Sequence, residues 1–227
     1  MSLTVIESPS PPLPKINERA PDFEAMSTHG PIKLTDYHGR WLLFFSHPAD
    51  FTPVCTTEFI SFAKNFETFQ ALSCDLLALS IDSRFSHLAW VENIRTHFDV
   101  EIPFPVVEDI SLAIASLYGM IHPRSSNVST VRSTFLIDPK GIIKSIVYYP
   151  QNVGRSVSEL IRLVQAVQTA DDYQVSTPEG WRPGEKVMVT PPSTVEDLKN
   201  QQKDGLECRD WYFCTQPLGK NSGKKTA

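Results

Sequence analysis

The uninterrupted apolar run Trp41-Leu42-Leu43-Phe44-Phe45 constrains the fold more than any other feature of the chain. A strand with one face in water alternates polar and apolar residues, so a continuous run describes a strand buried on both faces. A second such run extends from Leu76 to Ile81. Between and after them come helical spacings: Phe59, Ala63 and Phe66, then Leu88, Val91, Ile94 and Phe98. Val106 and Val107 open a short strand, and Ser111 to Tyr118 reads as a short helix. Ser133 to Ile137 and Ile142 to Tyr149 flank Asp138-Pro139-Lys140-Gly141, whose turn chemistry makes them an antiparallel hairpin. Ser156 and Glu159 form a capping box ahead of Leu160, Val164 and Val167, which starts a further helix.

Strands alternating with helices and ending in a hairpin predict an α/β architecture, a mixed sheet flanked by helices. A thioredoxin-like fold is one known solution with this order. After Asp172 the chain becomes rich in Pro and Gly, as in TPEGWRPGEK and VTPPSTVEDLK. The expected organisation is a Pro-rich arm over 1–14, a thioredoxin-like domain over 15–172, a small C-terminal domain over 173–218 and a flexible tail over 219–227.

Composition narrows the function. A chain of 227 residues with 41% apolar and 21% charged residues is long enough for a sizeable core. A net charge of −5 gives no electrostatic reason to bind nucleic acid or an anionic membrane, and no segment has the apolar length of a membrane span. The basic residues Lys220, Lys224 and Lys225 read as part of a solvated end. The N-terminus lacks the basic start and long apolar stretch of a secretory signal. Four cysteines are too few for a disulfide scaffold, so a reducing cytoplasm is the default location. No close pair of them has zinc-site spacing, and no metal is expected.

Thr52-Pro53-Val54-Cys55 reads as a helix start, with Thr as N-cap, Pro at the first helical position and Cys55 at the third. A sulfur there lies beside unpaired N–H groups at the positive end of the helix dipole, an environment that acidifies thiols. A buried structural cysteine is the alternative, and the polar, proline-flanked context argues against it. Acidification alone does little for rate. A thiol of pKa about 8.5 is about 3% thiolate at pH 7, and lowering the pKa to about 6 raises this to about 90%. Nucleophilicity falls with pKa and takes back roughly a factor of ten, leaving a net gain of about two-fold. A fast reaction at such a cysteine therefore needs donors that hold the substrate and stabilise the departing oxygen.

The run HPADFTPVCTTE contains Pro-x-x-x-Thr-x-x-Cys at Pro48, Thr52 and Cys55, and with it the chain resembles the peroxiredoxins. Ala20 to Phe23 (APDF), STVRSTFLIDPKG and GRSVSELIRLVQAVQ are similar to that family as well, and TPEGW and GEKVMV resemble its one-cysteine, peroxiredoxin 6-like subfamily. The resemblance runs from Lys15 to Pro217. It implies that Cys55 is the peroxidatic cysteine, that Thr52 hydrogen-bonds peroxide and thiolate, that Pro48 shields the site, and that Arg132 polarises the peroxide. It also implies that Glu58 orients Arg132 and that Arg155 is a second arginine near the site. His47 either lines the site or packs at a strand end. The implied substrates are hydrogen peroxide and organic hydroperoxides, with a thiol reductant (thioredoxin-like, glutathione or another) and no cofactor. The implied assembly is a homodimer, with a decamer as a larger form, and Ile142 to Tyr149 as a candidate edge strand for pairing.

Cys208 and Cys214, in LECRDWYFC, depart from a strict one-cysteine pattern. One of them, Cys214 ahead of Cys208, is expected to attack the Cys55 sulfenic acid, including from a partner subunit; the alternative is that the two pair with each other. Cys74 reads as a core thiol. A thioredoxin-like thiol–disulfide oxidoreductase is the rival function, but it would use Cys-x-x-Cys, and Thr56, Thr57 and Glu58 follow Cys55. A holdase chaperone remains a second activity open to a large oligomer. Some members of the subfamily carry a phospholipase Gly-x-Ser-x-Gly; the corresponding YHGRWLLFF has no serine, so that activity is not expected.

Overall fold

The computed structural model describes residues 13–126, 128–200 and 205–218. Most of the expected N-terminal arm and all of the basic tail lie outside the described residues. The chain begins with a small hairpin, β1 (Glu24–Ser27) and β2 (Gly30–Lys33). The apolar run follows as β3 (Trp41–Ser46), then α1 (Pro53–Lys64), α2 (Phe66–Ala71), β4 (Cys74–Ser80) and α3 (Arg84–Phe98). Next come β5 (Val106–Glu108), α4 (Ala113–Leu117) and the hairpin β6 (Arg132–Ile137) and β7 (Ile143–Tyr149). The chain continues with α5 (Val157–Tyr173), β8 (Val187–Met188), α6 (Val195–Asn200), β9 (Glu207–Asp210) and β10 (Phe213–Gln216).

Seven strands form one mixed sheet in the order β2-β1-β5-β4-β3-β6-β7. β3 pairs with β4 and β4 with β5 in parallel, and every other pairing is antiparallel. This is the expected α/β architecture, a central mixed sheet with flanking helices. The two apolar runs lie at its centre, which explains why β3 is buried on both faces from Leu42 onward. Phe44 packs against Phe23, Tyr118 and Phe135, with ring centroids 5.0–6.4 Å apart. The β6–β7 turn closes through Asp138, whose Oδ1 accepts from the N–H groups of Lys140 and Ile142, both at 2.9 Å. Gly141 adopts φ +79° there, in the left-handed region that favours glycine. β7 lies at the outer edge of the sheet.

By contacts the chain divides at Val157/Ser158. The expected boundary at Asp172 falls near the C-terminal end of α5. In the C-terminal unit Trp181 is buried with Ala166 and Val187, and β10 pairs with both β8 and β9. α5 starts directly after Ser156, as the capping residues predict.

Two helical faces differ from the expected ones. α1 ends at Lys64, and the aromatic residues buried along α1 and α2 are Phe59, Phe62 and Phe69 rather than a stripe through Ala63 and Phe66. α3 buries His87, Trp90 and Ile94 and leaves Leu88 and Phe98 exposed. Counting apolar residues alone misplaces that face, because one inward position is a histidine whose polar atoms find partners. Ile94→Ala is expected to cost about 2–5 kcal/mol and Leu88→Ala less than about 1 kcal/mol in urea unfolding. Equal losses at the two positions would refute this orientation of α3.

Candidate active site

Thr52 is the N-cap of α1, with extended backbone, and Pro53 occupies the first helical position. Cys55 is therefore in the first turn, where the leading N–H groups have no intrahelical acceptor. Its side chain is fully buried and its thiol is free. The Thr52 hydroxyl does not cap the helix; it donates to the carbonyl of Ala49 at 2.9 Å. With its proton so engaged, its oxygen lone pairs remain available to accept. Pro48 is half-buried in the loop joining β3 to α1.

Arg132 opens β6 and is buried, not the surface charge that a strand-end arginine usually is. Its Nη1 lies 3.3 Å from Cys55 Sγ and 2.7 Å from Glu58 Oε2. Its Nε and Nη2 both donate to the carbonyl of Gln151, at 3.0 and 2.6 Å, so the guanidinium is held on two edges. Glu58 lies one turn after Cys55 on α1 and is likewise buried. Arg155 closes on it from the other side. Its backbone N–H and Nε donate to Glu58 Oε1 at 2.7 and 2.9 Å, and its Nη2 donates to Oε2 at 2.9 Å. Arg155 Nη1 reaches the Ser133 carbonyl at 2.8 Å, and its guanidinium lies over the Phe45 ring at 5.1 Å. Gly154 sits close against α1: a Cβ there would lie 3.3 Å from Val54 Cγ1.

Sequence-predicted Cys55, Arg132, Glu58 and Arg155 thus come together in one hydrogen-bonded cluster. His47 packs at the end of β3 between the rings of Phe59 and Trp90, at 4.8 and 5.2 Å, and bonds Asp50. Residue-by-residue reading missed three contributors. The Gln151 carbonyl left no signal, because any residue supplies that acceptor. Asp50 lies inside the motif, and His87 shares the spacing of Trp90 and Ile94. Among the described residues His47, Asp50 and His87 bring potential ligand atoms within 4.8 Å of one another, and the atoms facing one another are engaged in hydrogen bonds. Cys74 is buried at the start of β4, and burial pushes its thiol up to about 12, as befits a core residue.

Cys208 and Cys214 face each other across β9 and β10 and are joined by a disulfide. This is the second of the two expected arrangements. Neither is a free thiol in this state, so a resolving role requires the bridge to be reduced first.

The comparisons with known proteins agree along the chain. A family model described as "AhpC/TSA family" matches residues 16–146, and one described as "C-terminal domain of 1-Cys peroxiredoxin" matches residues 166–205. A peroxiredoxin of Aquifex aeolicus is 51% identical over 217 residues, covering 91% of this chain and 98% of the relative. The solved structure of a yeast mitochondrial 1-Cys peroxiredoxin superposes with a TM-score of 0.81 at 36% identity, over 89% of this chain and 99% of that one. A variant of the peroxiredoxin 6 of Arenicola marina gives 0.81 at 32% identity, over 91% and 99%.

Burial alone would raise the Glu58 carboxyl, but the hydrogen bonds and charge of Arg155, followed by the charge of Arg132, outweigh it and hold the pKa below the usual value. Stability from this group is complete above the unfolded value near 4.3 and is lost as the pH falls through the folded value. Glu58→Gln is therefore expected to lose about 3 kcal/mol at pH 7, because it leaves two buried guanidiniums without their counter-charge. The gap to wild type narrows in acid. Urea unfolding at pH 7 and near pH 3 reads both; a gap independent of pH would contradict the linkage.

Proposed function

The chain belongs to the AhpC/TSA family of peroxiredoxins and is a thiol-dependent peroxidase, and on that premise we propose that Cys55 is the nucleophile that attacks peroxide. The observation that carries the assignment is the Arg132 guanidinium 3.3 Å from its sulfur, fixed there by Glu58 and the Gln151 carbonyl.

In this reading the Cys55 thiolate attacks one peroxide oxygen in line with the O–O bond. A sulfur–oxygen bond forms as the O–O bond breaks, and the departing oxygen takes a proton and leaves as water or an alcohol. The sulfur is oxidised by two electrons to the sulfenic acid. Arg132 and the N–H groups of the first turn stabilise negative charge as it moves from sulfur to the departing oxygen. Thr52 accepts from the peroxide hydroxyl and fixes its orientation, and Pro48 limits water. Glu58 and Arg155 act through Arg132. A thiol condenses with the sulfenic acid to a disulfide and water, and a second thiol restores Cys55. Excess peroxide takes the sulfur further up the oxidation ladder.

The Cys208–Cys214 bridge favours an internal route for the first of these thiols. With the pair reduced, Cys214 attacks the sulfenic acid, and Cys208 then attacks the mixed disulfide, releasing Cys55 and leaving the bridge that the structure shows between β9 and β10. Cys208 is the more exposed of the two, which offers it to an external thiol. The relative from yeast is described as resolved through glutathione and thioredoxin systems, and a reductant of that chemistry suits this chain. The outer edge of β7, bonded at Ile143 to the backbone of Asn17 and Glu18, suits pairing beyond that end in a homodimer, the unit of a larger ring such as a decamer. The expected site is cytoplasmic; among the described residues no helix is long and apolar enough to cross a membrane.

Cys55→Ser is expected to abolish peroxide consumption, and consumption that persists in it would overturn the assignment. In mass spectra taken after one equivalent of peroxide, the reduced Cys208→Ser protein is expected to trap a Cys55–Cys214 disulfide. Its absence from both the Cys208→Ser and Cys214→Ser proteins, in either pairing with Cys55, would rule out the internal route.

A further inference from the structure

Asp50, in the loop between β3 and α1, joins three elements of the fold. Its Oδ1 lies 3.0 Å from His47 Nε2, and its Oδ2 lies 2.8 Å from Nδ1 of His87 on α3. His87 Nε2 in turn lies 3.1 Å from the carbonyl oxygen of Val107 on β5. Both histidines are fully buried.

The acceptors decide where the protons are. A carbonyl oxygen can only accept, so His87 Nε2 carries a proton. An ionised carboxylate can only accept too, so each nitrogen facing Asp50 carries one as well. Three hydrogen bonds thus hold three protons, and a fourth, on His47 Nδ1, would be buried with no acceptor. The count makes His87 doubly protonated, His47 neutral and Asp50 ionised, with no net charge. Burial disfavours a charged His47, as this count requires. Burial would also raise the Asp50 carboxyl, but the hydrogen bonds from both histidines hold it well below the usual carboxylate range.

We propose that His87 is a positioning residue for the peroxidase reaction: a buried imidazolium on α3 that holds Asp50, and through it the loop that presents Pro48 and Thr52 to Cys55. The proposal rests on Cys55 as the attacking nucleophile. The loop needs such an anchor. Phe51, the residue after Asp50, has φ +53°, which a bulky side chain rarely adopts, and its side chain is 56% exposed and so gains little from packing. The bonds on either side hold it there: the Asp50 carboxylate to the two histidines, the Asp50 N–H to Asp82 Oδ2 at 3.0 Å, and the Thr52 hydroxyl to Ala49. Asp82, which also accepts from the Ser80 hydroxyl, is the other acidic group bonded to the loop.

Nitrogen NMR of histidine-labelled wild-type protein, reduced and at neutral pH, reads the proton count without any variant. The expected spectrum has His87 protonated on both nitrogens and His47 only on Nε2; a neutral His87 ring would overturn the proposal. His87→Asn keeps a donor toward Asp50 but cannot carry its charge, and Asp50→Asn with His87→Asn removes the unbalanced carboxylate as well. The rate constant for oxidation of Cys55 by hydrogen peroxide is expected to fall about ten-fold or more in the single variant and to recover most of that loss in the double variant. A single variant as fast as wild type, or a double variant no faster than the single, would overturn it. Peroxide consumption that survives Cys55→Ser would instead remove the underlying site assignment, whatever the histidine variants do.

Discussion

Glu58 is a buried carboxylate between two buried guanidiniums, and the arrangement around Cys55 depends on how those charges balance. Arg132 and Arg155 bring two positive charges and Glu58 one negative, so the cluster keeps one positive charge in excess. Charges out of water are costly unless paired and hydrogen-bonded, and here the bonds are made: every Glu58 oxygen accepts, and both arginines also reach backbone carbonyls. The excess charge is exposed toward the sulfur. On the proposed role of Cys55, negative charge belongs there, both before the reaction and while it passes to the departing oxygen. Replacing such a buried ion cluster by well-packed apolar residues of similar volume is often neutral or stabilising, so the cluster is weak evidence for stability and its distinctive effect is on charge at the sulfur.

The cluster also ties distant parts of the sequence together. Glu58 comes from α1, Arg132 from β6 and Arg155 from the segment just before α5. The β3–α1 loop supplies Thr52, and α3 holds that loop through Asp50. A parallel strand followed by a helix places the helix start at the end of the strand, here β3 and α1, where the sheet core ends and polar groups can gather.

Much of this was legible in the sequence, for different reasons in different places. β3 and β4 declare themselves because a strand at the centre of a sheet is apolar on both sides. The β6–β7 hairpin is legible because Asp138 and Gly141 satisfy a specific turn. The β1–β2 hairpin is not: its strands have four residues each, and Ser27 is the one that is buried. The face of α3 is misread because His87 looks polar, and only the carboxylate of Asp50 and the carbonyl of Val107 make it an inward residue. Arg132 and Arg155 are legible through family resemblance alone, since nothing in their local sequence distinguishes them from surface charges. The Gln151 carbonyl is invisible in principle, because a backbone acceptor is the same in every residue. The cross-strand pairing of Cys208 and Cys214 depends on a register that their spacing does not specify.

Acidifying a thiol from a pKa of about 8.5 to about 6 raises its reactivity at neutral pH only about two-fold, because the thiolate gained is offset by weaker nucleophilicity. The chemistry must then come from groups whose positions are fixed before peroxide arrives, since an arginine that had to reorient would spend the reaction's charge stabilisation on ordering itself. Arg132 meets that condition: Glu58 holds one edge and the Gln151 carbonyl another, leaving the sulfur as its remaining close partner. Thr52 meets it through Ala49, whose carbonyl fixes the direction of the hydroxyl proton and so, in the proposed mechanism, the side from which a peroxide hydroxyl would donate. The two groups stand on separate supports, Arg132 on the Glu58 cluster and Thr52 on a loop held by Asp50. α1 joins the two, since Thr52 is its N-cap and Glu58 lies on it, so on the proposed roles the loss of either support disturbs the registration of both groups about one peroxide.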